Sequence, residues 1–269
     1  MWERVVFSDS DGPVFRLDKW YLDCVTDGGS VVVAYWATIR LGVVPLRYAA
    51  CLAGRAADGL TTRYTLWPDA APAEDRGVVR WGCRRLRISG TWNLREPAIE
   101  RTLLAEPAGR IEWRCIGPRA EAVVRVGAET LRGTGYVERL TVSLPPWRLP
   151  FRGLRWGRFH GAHDTVIWIA WWGGLERRWV FANGIHRAST GIQARAVVLE
   201  NGDRLEIGGG VELRTGTLRH TALRPLRVIA GLVPRWRSAH ETKWLAPTRL
   251  LTSTGVDHGW ALHEEVTWA

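Results

Sequence analysis

A carboxyl group set among apolar side chains on one face of a strand is a candidate proton donor, and this sequence offers one twice. In Gly133-Thr134-Gly135-Tyr136-Val137-Glu138-Arg139-Leu140-Thr141-Val142, strand alternation puts Tyr136, Glu138, Leu140 and Val142 on one face. Near the end of the chain, Leu262, Glu264, Val266 and Trp268 share a face in the same way. If such faces point inward, burial disfavours the ionised carboxyl and keeps a proton available near neutral pH for general acid catalysis. The structural alternative is an ion pair with an arginine, which lowers a carboxyl pKa and serves only the fold. In Leu154-Arg155-Trp156-Gly157-Arg158-Phe159-His160 the residues Trp156, Arg158 and His160 project together. Arg158 is therefore expected to partner an inward glutamate, orienting Glu138 together with Tyr136. Tyr21 and Asp23 share the face opposite Trp20 and Leu22.

Other chemistries lack their residues. The groups His160, His163, Asp164 and Asp257, His258, His263 show no recognised metal-ligand spacing. There is no G-x-S-x-G elbow, P-loop or complete G-x-G-x-x-G motif, so nucleotide and redox enzymes lose support. Cys24, Cys51, Cys83 and Cys115 form no C-x-x-C pair and read as reduced, buried thiols of a cytoplasmic protein. The net charge is +10, but only Lys19 and Lys243 are lysines among 37 basic residues. The arginines are dispersed singly or in pairs rather than in a basic run, so specific nucleic-acid binding is not expected. Met1-Trp2-Glu3-Arg4 brings charge too early for a signal peptide. The apolar run 165–175 is shorter than the roughly 20 residues of a membrane-spanning helix, leaving at most peripheral membrane contact. Oligomeric state has no signature here.

The elements that must position these residues are strands. Period-two segments at 19–25, 30–40, 60–67, 78–88, 99–104, 111–116 and 122–126 alternate with turn residues such as Asp27-Gly28-Gly29. A further hairpin is expected over 193–207 around Asn201-Gly202-Asp203, and helical windows are almost absent. Pro145-Pro146-Trp147-Arg148-Leu149-Pro150 cannot lie inside a central strand and divides the chain into expected domains 1–148 and 149–269. The segments around Glu138 and Glu264 echo each other, Leu140 matching Val266 and Thr141 matching Thr267, as if two related β domains closed on similar strands. Of 17 tryptophans, six crowd between Trp147 and Trp179. Trp171-Trp172 and the run around them present indoles to both faces of one strand, one for a core and the other for a cavity.

Three segments taken together resemble a known group. Lys19-Trp20-Tyr21-Leu22-Asp23 is similar to the W-Y-x-D segment of hydroxyneurosporene synthase or carotenoid 1,2-hydratase and AttH-like proteins. Gly133-Thr134-Gly135-Tyr136 resembles their G-x-G-Y motif, and Trp156-Gly157-Arg158 their W-G-R segment. The likeness covers residues 19 to about 172. It implies an all-β protein of two tandem lipocalin-like (calycin-type) antiparallel β-barrel or sandwich domains with an apolar cavity. It also implies a hydrophobic isoprenoid or polyene substrate, cyclised or hydrated without metal or redox cofactor. Val137-Glu138-Arg139-Leu140 replaces the His/Asp-rich continuation of the hydratases, so the acid role transfers to Glu138, with Tyr136 and Arg158 beside it. Trp20, Tyr21, Asp23, Trp36, Trp156, Trp168, Trp171 and Glu264 are the expected substrate contacts. The same cavity would also serve a pericyclase, which works by folding a polyene, or a lipid or isoprenoid carrier.

Overall fold

The computed structural model describes residues 15–42, 44–55, 59–226 and 237–268; Met1-Trp2-Glu3-Arg4 lies outside the described residues. Of the described residues 71% are strand and 4% helix, arranged as two ten-stranded antiparallel sheets, one of them curled nearly into a barrel. The first sheet holds β1 (Phe15–Val25), β2 (Ser30–Leu41), β3 (Val44–Arg55), β4 (Gly59–Thr65), β5 (Ala73–Asp75), β6 (Val78–Cys83), β7 (Ile88–Leu94), β8 (Ile99–Glu106), β9 (Gly109–Val126) and β10 (Glu129–Val142). The second holds β11 (Gly153–Gly161), β12 (Thr165–Trp172), β13 (Arg177–Ala182), β14 (Ile185–Arg187), β15 (Ser189–Ile192), β16 (Ala196–Leu199), β17 (Arg204–Ile207), β18 (Val211–Thr217), β19 (His240–Thr252) and β20 (Gly255–Thr267).

Strand order is β4-β3-β2-β1-β10-β9-β7-β6-β5, with β8 on β9, and the second sheet repeats it strand for strand, with β18 on β19. β10 and β20 thus occupy equivalent places beside β1 and β11. Glu138 faces Tyr21 across the first ladder and Glu264 faces Trp156 across the second, which gives the short sequence echo a structural basis. By the same register Asp23 corresponds to Arg158, since they stand opposite Tyr136 and Leu262.

Two segments differ from the periodicity. The run 78–88 is broken by a 3-10 turn at Arg84–Leu86, where Arg87 takes φ 55°. Conversely, 111–116 and 122–126 are parts of one long strand, β9, which runs through Pro118. β9 pairs with β8 up to Cys115 and with β7 from Ala120, so Pro118 falls between two outer partners, where the ladder asks for no N–H. Pro247 lies at the matching change of partners on β19, between β18 and β17.

Three apolar clusters fill the molecule. Trp20, Leu22 and Cys24 belong to the interior of the first sheet, and Phe159, Val166 and Trp168 to that of the second. The alternate residues Tyr21, Tyr136, Trp156, Ile169 and Trp171 form a third cluster that joins the two sheets. Strand alternation therefore serves two cores at once: each strand feeds its own sheet with one face and the interface with the other. All four cysteines are free and buried, and burial pushes the thiols of Cys24 and Cys51 up to about 12. Among the described residues, no helix is long and apolar enough to cross a membrane.

Candidate active site between the sheets

The central cluster encloses a cavity of about 250 Å³. Leu103, Leu140, Leu149, Phe151, Ile169 and Trp171 line its apolar walls, and Glu138, Glu241, Glu264, Lys19 and Arg214 are its acidic and basic lining residues. Phe151 stacks on Trp171 with centroids 4.3 Å apart, and Tyr21 meets Tyr35, Tyr136 and Trp156 edge to face at 5.0–5.9 Å. A larger groove of about 840 Å³, lined by Asp27, Arg119, His160 and Trp260 among others, shares no lining residue with this cavity. The smaller space combines apolar walls with buried carboxyls, the usual composition of a small-molecule site.

Glu138 is 5% exposed, and its Oε2 accepts three hydrogen bonds. Trp113 Nε1 donates at 2.6 Å, Tyr136 Oη at 2.7 Å and Trp156 Nε1 at 3.2 Å. Trp113 and Tyr136 come from β9 and β10 of its own sheet and Trp156 from β11 of the other, so the third donor arrives only when the sheets are packed. An indole N–H has no acceptor capacity. The oxygen that takes two of them is not the one that carries a proton, and the proton of a neutral carboxyl belongs on Oε1. The Tyr136 phenol is pushed well above its ordinary value by burial, reinforced by Cys115 and Glu138, and stays a neutral donor.

A charged pole occupies another part of the lining, where Arg214, Glu241 and Glu264 face the cavity and Lys243 stands behind Glu264. Arg214 Nε lies 2.8 Å from Glu241 Oε1, and Arg214 Nη2 donates to the Tyr35 hydroxyl at 3.3 Å. Lys243, only 1% exposed, contacts Glu264 Oε2 and places its ammonium 5.1 Å and 5.2 Å from the ring centroids of Tyr21 and Trp156. Burial would raise the Glu264 carboxyl, but Lys243, then Lys19, outweigh it and hold it below its ordinary range.

Arg158 is not the partner of Glu138. It forms a two-pronged ion pair with Asp23, Nη2 to Oδ1 at 2.7 Å and Nε to Oδ2 at 3.1 Å, and both side chains are 0% exposed. Burial would lower Arg158, yet the charge of Asp23 and its hydrogen bonds prevail and the guanidinium is raised. A guanidinium and a carboxylate that match as two parallel bonds satisfy each other better than either would satisfy a lone glutamate. Trp92 Nε1 fixes the Asp23 backbone oxygen at 2.7 Å.

Of the expected residues, the structure brings together Glu138, Tyr136, Trp156, Trp171 and Glu264, with Tyr21 in the aromatic wall. It sets Asp23 and Arg158 apart as a pair that ties the sheets. Trp20 and Trp168 face the interiors of their own sheets, and Trp36 packs on the first interior with its Nε1 on the Asp69 oxygen. These three tryptophans do not line the cavity. Trp113, Lys19, Lys243, Arg214, Glu241 and Tyr35 were not expected. The two lysines carried a signal, being the only ones in an arginine-rich chain; Trp113 carried none, since its contact depends on the register in which β9 pairs with β10.

Fold and site together define a class, that of two lipocalin-like antiparallel sheets in tandem with an apolar chamber between them. Among solved structures, the chain is similar to a protein from Nitrosomonas europaea described as AttH, with a TM-score of 0.58, 12% identity, and 94% of this chain and 92% of that chain covered. It is similar to CghA solved with Sch210972, with a TM-score of 0.54, 12% identity and coverage of 98% and 94%. Kievitone hydratase from Nectria haematococca matches with a TM-score of 0.53, 9% identity and coverage of 94% and 89%. At these identities the likeness is one of fold. No protein-family model and no curated protein matches the chain.

Proposed function

We propose that the cavity binds a hydrophobic, unsaturated substrate of the isoprenoid or polyene kind and that Glu138 acts as a general acid for its cyclisation or hydration. The observation that carries this reading is the buried Glu138 carboxyl on an apolar lining, with no donor on Oε1, while the three donors on Oε2 fix its orientation. Oε1 passes its proton to one alkene carbon, leaving positive charge on the neighbouring carbon. A second double bond of the substrate closes on that carbon, or one admitted water adds to it, and loss of a proton returns Glu138 to its starting state. The faces of Trp156 and Trp171 attract the developing cation, each by up to about 2 kcal/mol when desolvated. The similarity in fold to kievitone hydratase and to CghA solved with Sch210972 supports chemistry on a small molecule.

The test uses an organic extract of the producing cell, incubated with the wild-type protein and with Glu138→Gln and compared by mass spectrometry. Cyclisation yields an isomer, whereas hydration adds one water. Glu138→Gln is expected to keep the fold and quench its tryptophan fluorescence on ligand binding, yet lose 10²–10⁴-fold in rate. Undiminished turnover by a folded Glu138→Gln overturns the acid role. A second reading, favoured by the edge-to-face aromatic wall, is that the site only folds a polyene into reactive geometry while Glu138 hydrogen-bonds to it. That reading gives a rate independent of pH across the titration of a carboxyl.

A further inference from the structure

Two phenols on the cavity wall hold protons that, among the described residues, nothing accepts. Tyr48, on β3, is 4% exposed and lines the cavity from the central cluster. Among the described residues its hydroxyl has no hydrogen-bond partner, and the oxygen is not wholly enclosed by protein. Tyr35, on the neighbouring β2, lines the same wall. Its Oη accepts from Arg214 Nη2 at 3.3 Å, but its own proton has no acceptor among the described residues. Tyr35 stands opposite Ala50 and Tyr48 opposite Ala37, so the two rings are diagonal neighbours on one face, within reach of each other. Burial, reinforced by Tyr35 and only partly offset by Arg214, raises the Tyr48 phenol, and burial raises Tyr35 as well. Both therefore stay neutral donors. The nearby cations are already engaged, Arg214 by Glu241 and Lys243 by Glu264. What this end of the cavity lacks is an acceptor for two phenolic protons.

A buried hydroxyl without an acceptor carries a desolvation cost that a ligand oxygen can recover, and a site built around such donors rejects the analogue that lacks the oxygen. We propose that Tyr48 and Tyr35 form the polar end of the substrate site and hold the uncharged carbonyl oxygen of an unsaturated ketone or aldehyde, whose apolar part lies along Leu140, Ile169 and Trp171. This rests on the reading of the cavity as the substrate site and names the substrate class for it. A carbonyl oxygen offers two lone pairs, one for each phenol, and brings no proton of its own. An alcohol adds a proton that needs a further acceptor. A carboxylate or phosphate meets Glu241 and Glu264 with their counter-cations already taken.

Carvone, limonene and carveol share one compact unsaturated skeleton and carry, respectively, a carbonyl, no oxygen and a hydroxyl. Each is titrated into the full-length protein and its variants at pH 7, with binding followed by quenching of tryptophan fluorescence. Tyr48→Phe keeps the ring and removes only the hydroxyl. It is expected to weaken carvone about three- to tenfold, the worth of one neutral hydrogen bond, and to leave limonene unchanged. Tyr35→Phe is expected to act in the same direction. The melting temperature of Tyr48→Phe is expected not to fall, because the hydroxyl it deletes has no partner among the described residues. Glu138→Gln is expected to bind carvone as the wild type does although it loses turnover, so the carbonyl subsite and the acid assignment fail separately. A Tyr48→Phe variant that weakens carvone and limonene equally, or weakens neither, overturns the inference. A larger loss for carveol than for carvone overturns the carbonyl class. Failure of all three probes to bind the wild-type protein counts against the cavity as a ligand site and so against both readings.

Discussion

Asp23 and Arg158 are wholly withdrawn from water and come from opposite sheets, yet occupy matching places in the repeated topology. A single partner left behind is a buried, uncompensated charge, whereas an apolar pair of similar volume costs little. Asp23→Asn and Arg158→Met are each expected to lose about 3–5 kcal/mol in denaturant unfolding, and Asp23→Leu with Arg158→Met to recover most of that loss. A double variant no more stable than either single one contradicts the pairing. Strand alternation in the sequence was enough to put Glu138 on an apolar face, and the lining bears this out. It could not choose between Glu138 and Asp23 as the partner of Arg158, because both lie on inward faces. The choice depends on which strand the second sheet lays opposite Arg158.

At the scale of the element, β11 shows why certain strand positions have no side chain. A Cβ at Gly157 would come within 2.2 Å of Trp168 Cζ2 and 2.7 Å of the His263 Cβ. The glycine makes room for an indole that fills the second interior, so Trp156-Gly157-Arg158 is as much a packing device as a functional motif. Gly157→Ala is expected to cost about 1–3 kcal/mol through displacement of that ring. Gly191→Ala, where a Cβ meets nothing within 4 Å, is expected to stay within about 0.5 kcal/mol of wild type. Thermal melts of the two variants check this, and equal melting temperatures contradict it. The continuity of β9 was hidden in the sequence because Gly117-Pro118 reads as a turn; the change of partner strand that accommodates the proline is a property of the sheet.

The whole molecule has a predictable response to acid. Burial, together with the charge of Arg158, holds His160 well below its ordinary value. Burial, aided by Lys243, holds His263 at about 4. Both imidazoles gain protons more readily in the unfolded chain, whose histidines titrate near 6.5. Their contribution is therefore complete above about pH 6.5 and is lost as the pH falls toward the folded values. Between pH 6.5 and 5 each is expected to cost roughly 1–2 kcal/mol. Glu264 and Asp257, whose carboxyls are also lowered, act in the same direction but only in the lower range where unfolded carboxyls titrate. Melting temperatures measured from pH 7.5 to 5 are expected to fall, and His263→Gln to flatten the slope. A stability independent of pH over that interval contradicts the burial of neutral imidazoles.

What the sequence by itself determined is local: alternation at a period of two, turns at Asp27-Gly28-Gly29 and Asn201-Gly202-Asp203, a proline break at 145–150, and carboxyls on apolar strand faces. These follow from backbone geometry and from the few conformations open to glycine and proline, which neighbours distant in the chain do not alter. Only the tertiary structure decided which inward face belongs to an interior and which to the interface. Trp20 and Tyr21, or Trp168 and Trp171, read alike as aromatic residues of buried strands. Their assignments separate because two repeated sheets pack on each other, and that packing brings Trp156 of the second sheet to the Glu138 oxygen already held by Trp113 and Tyr136 of the first.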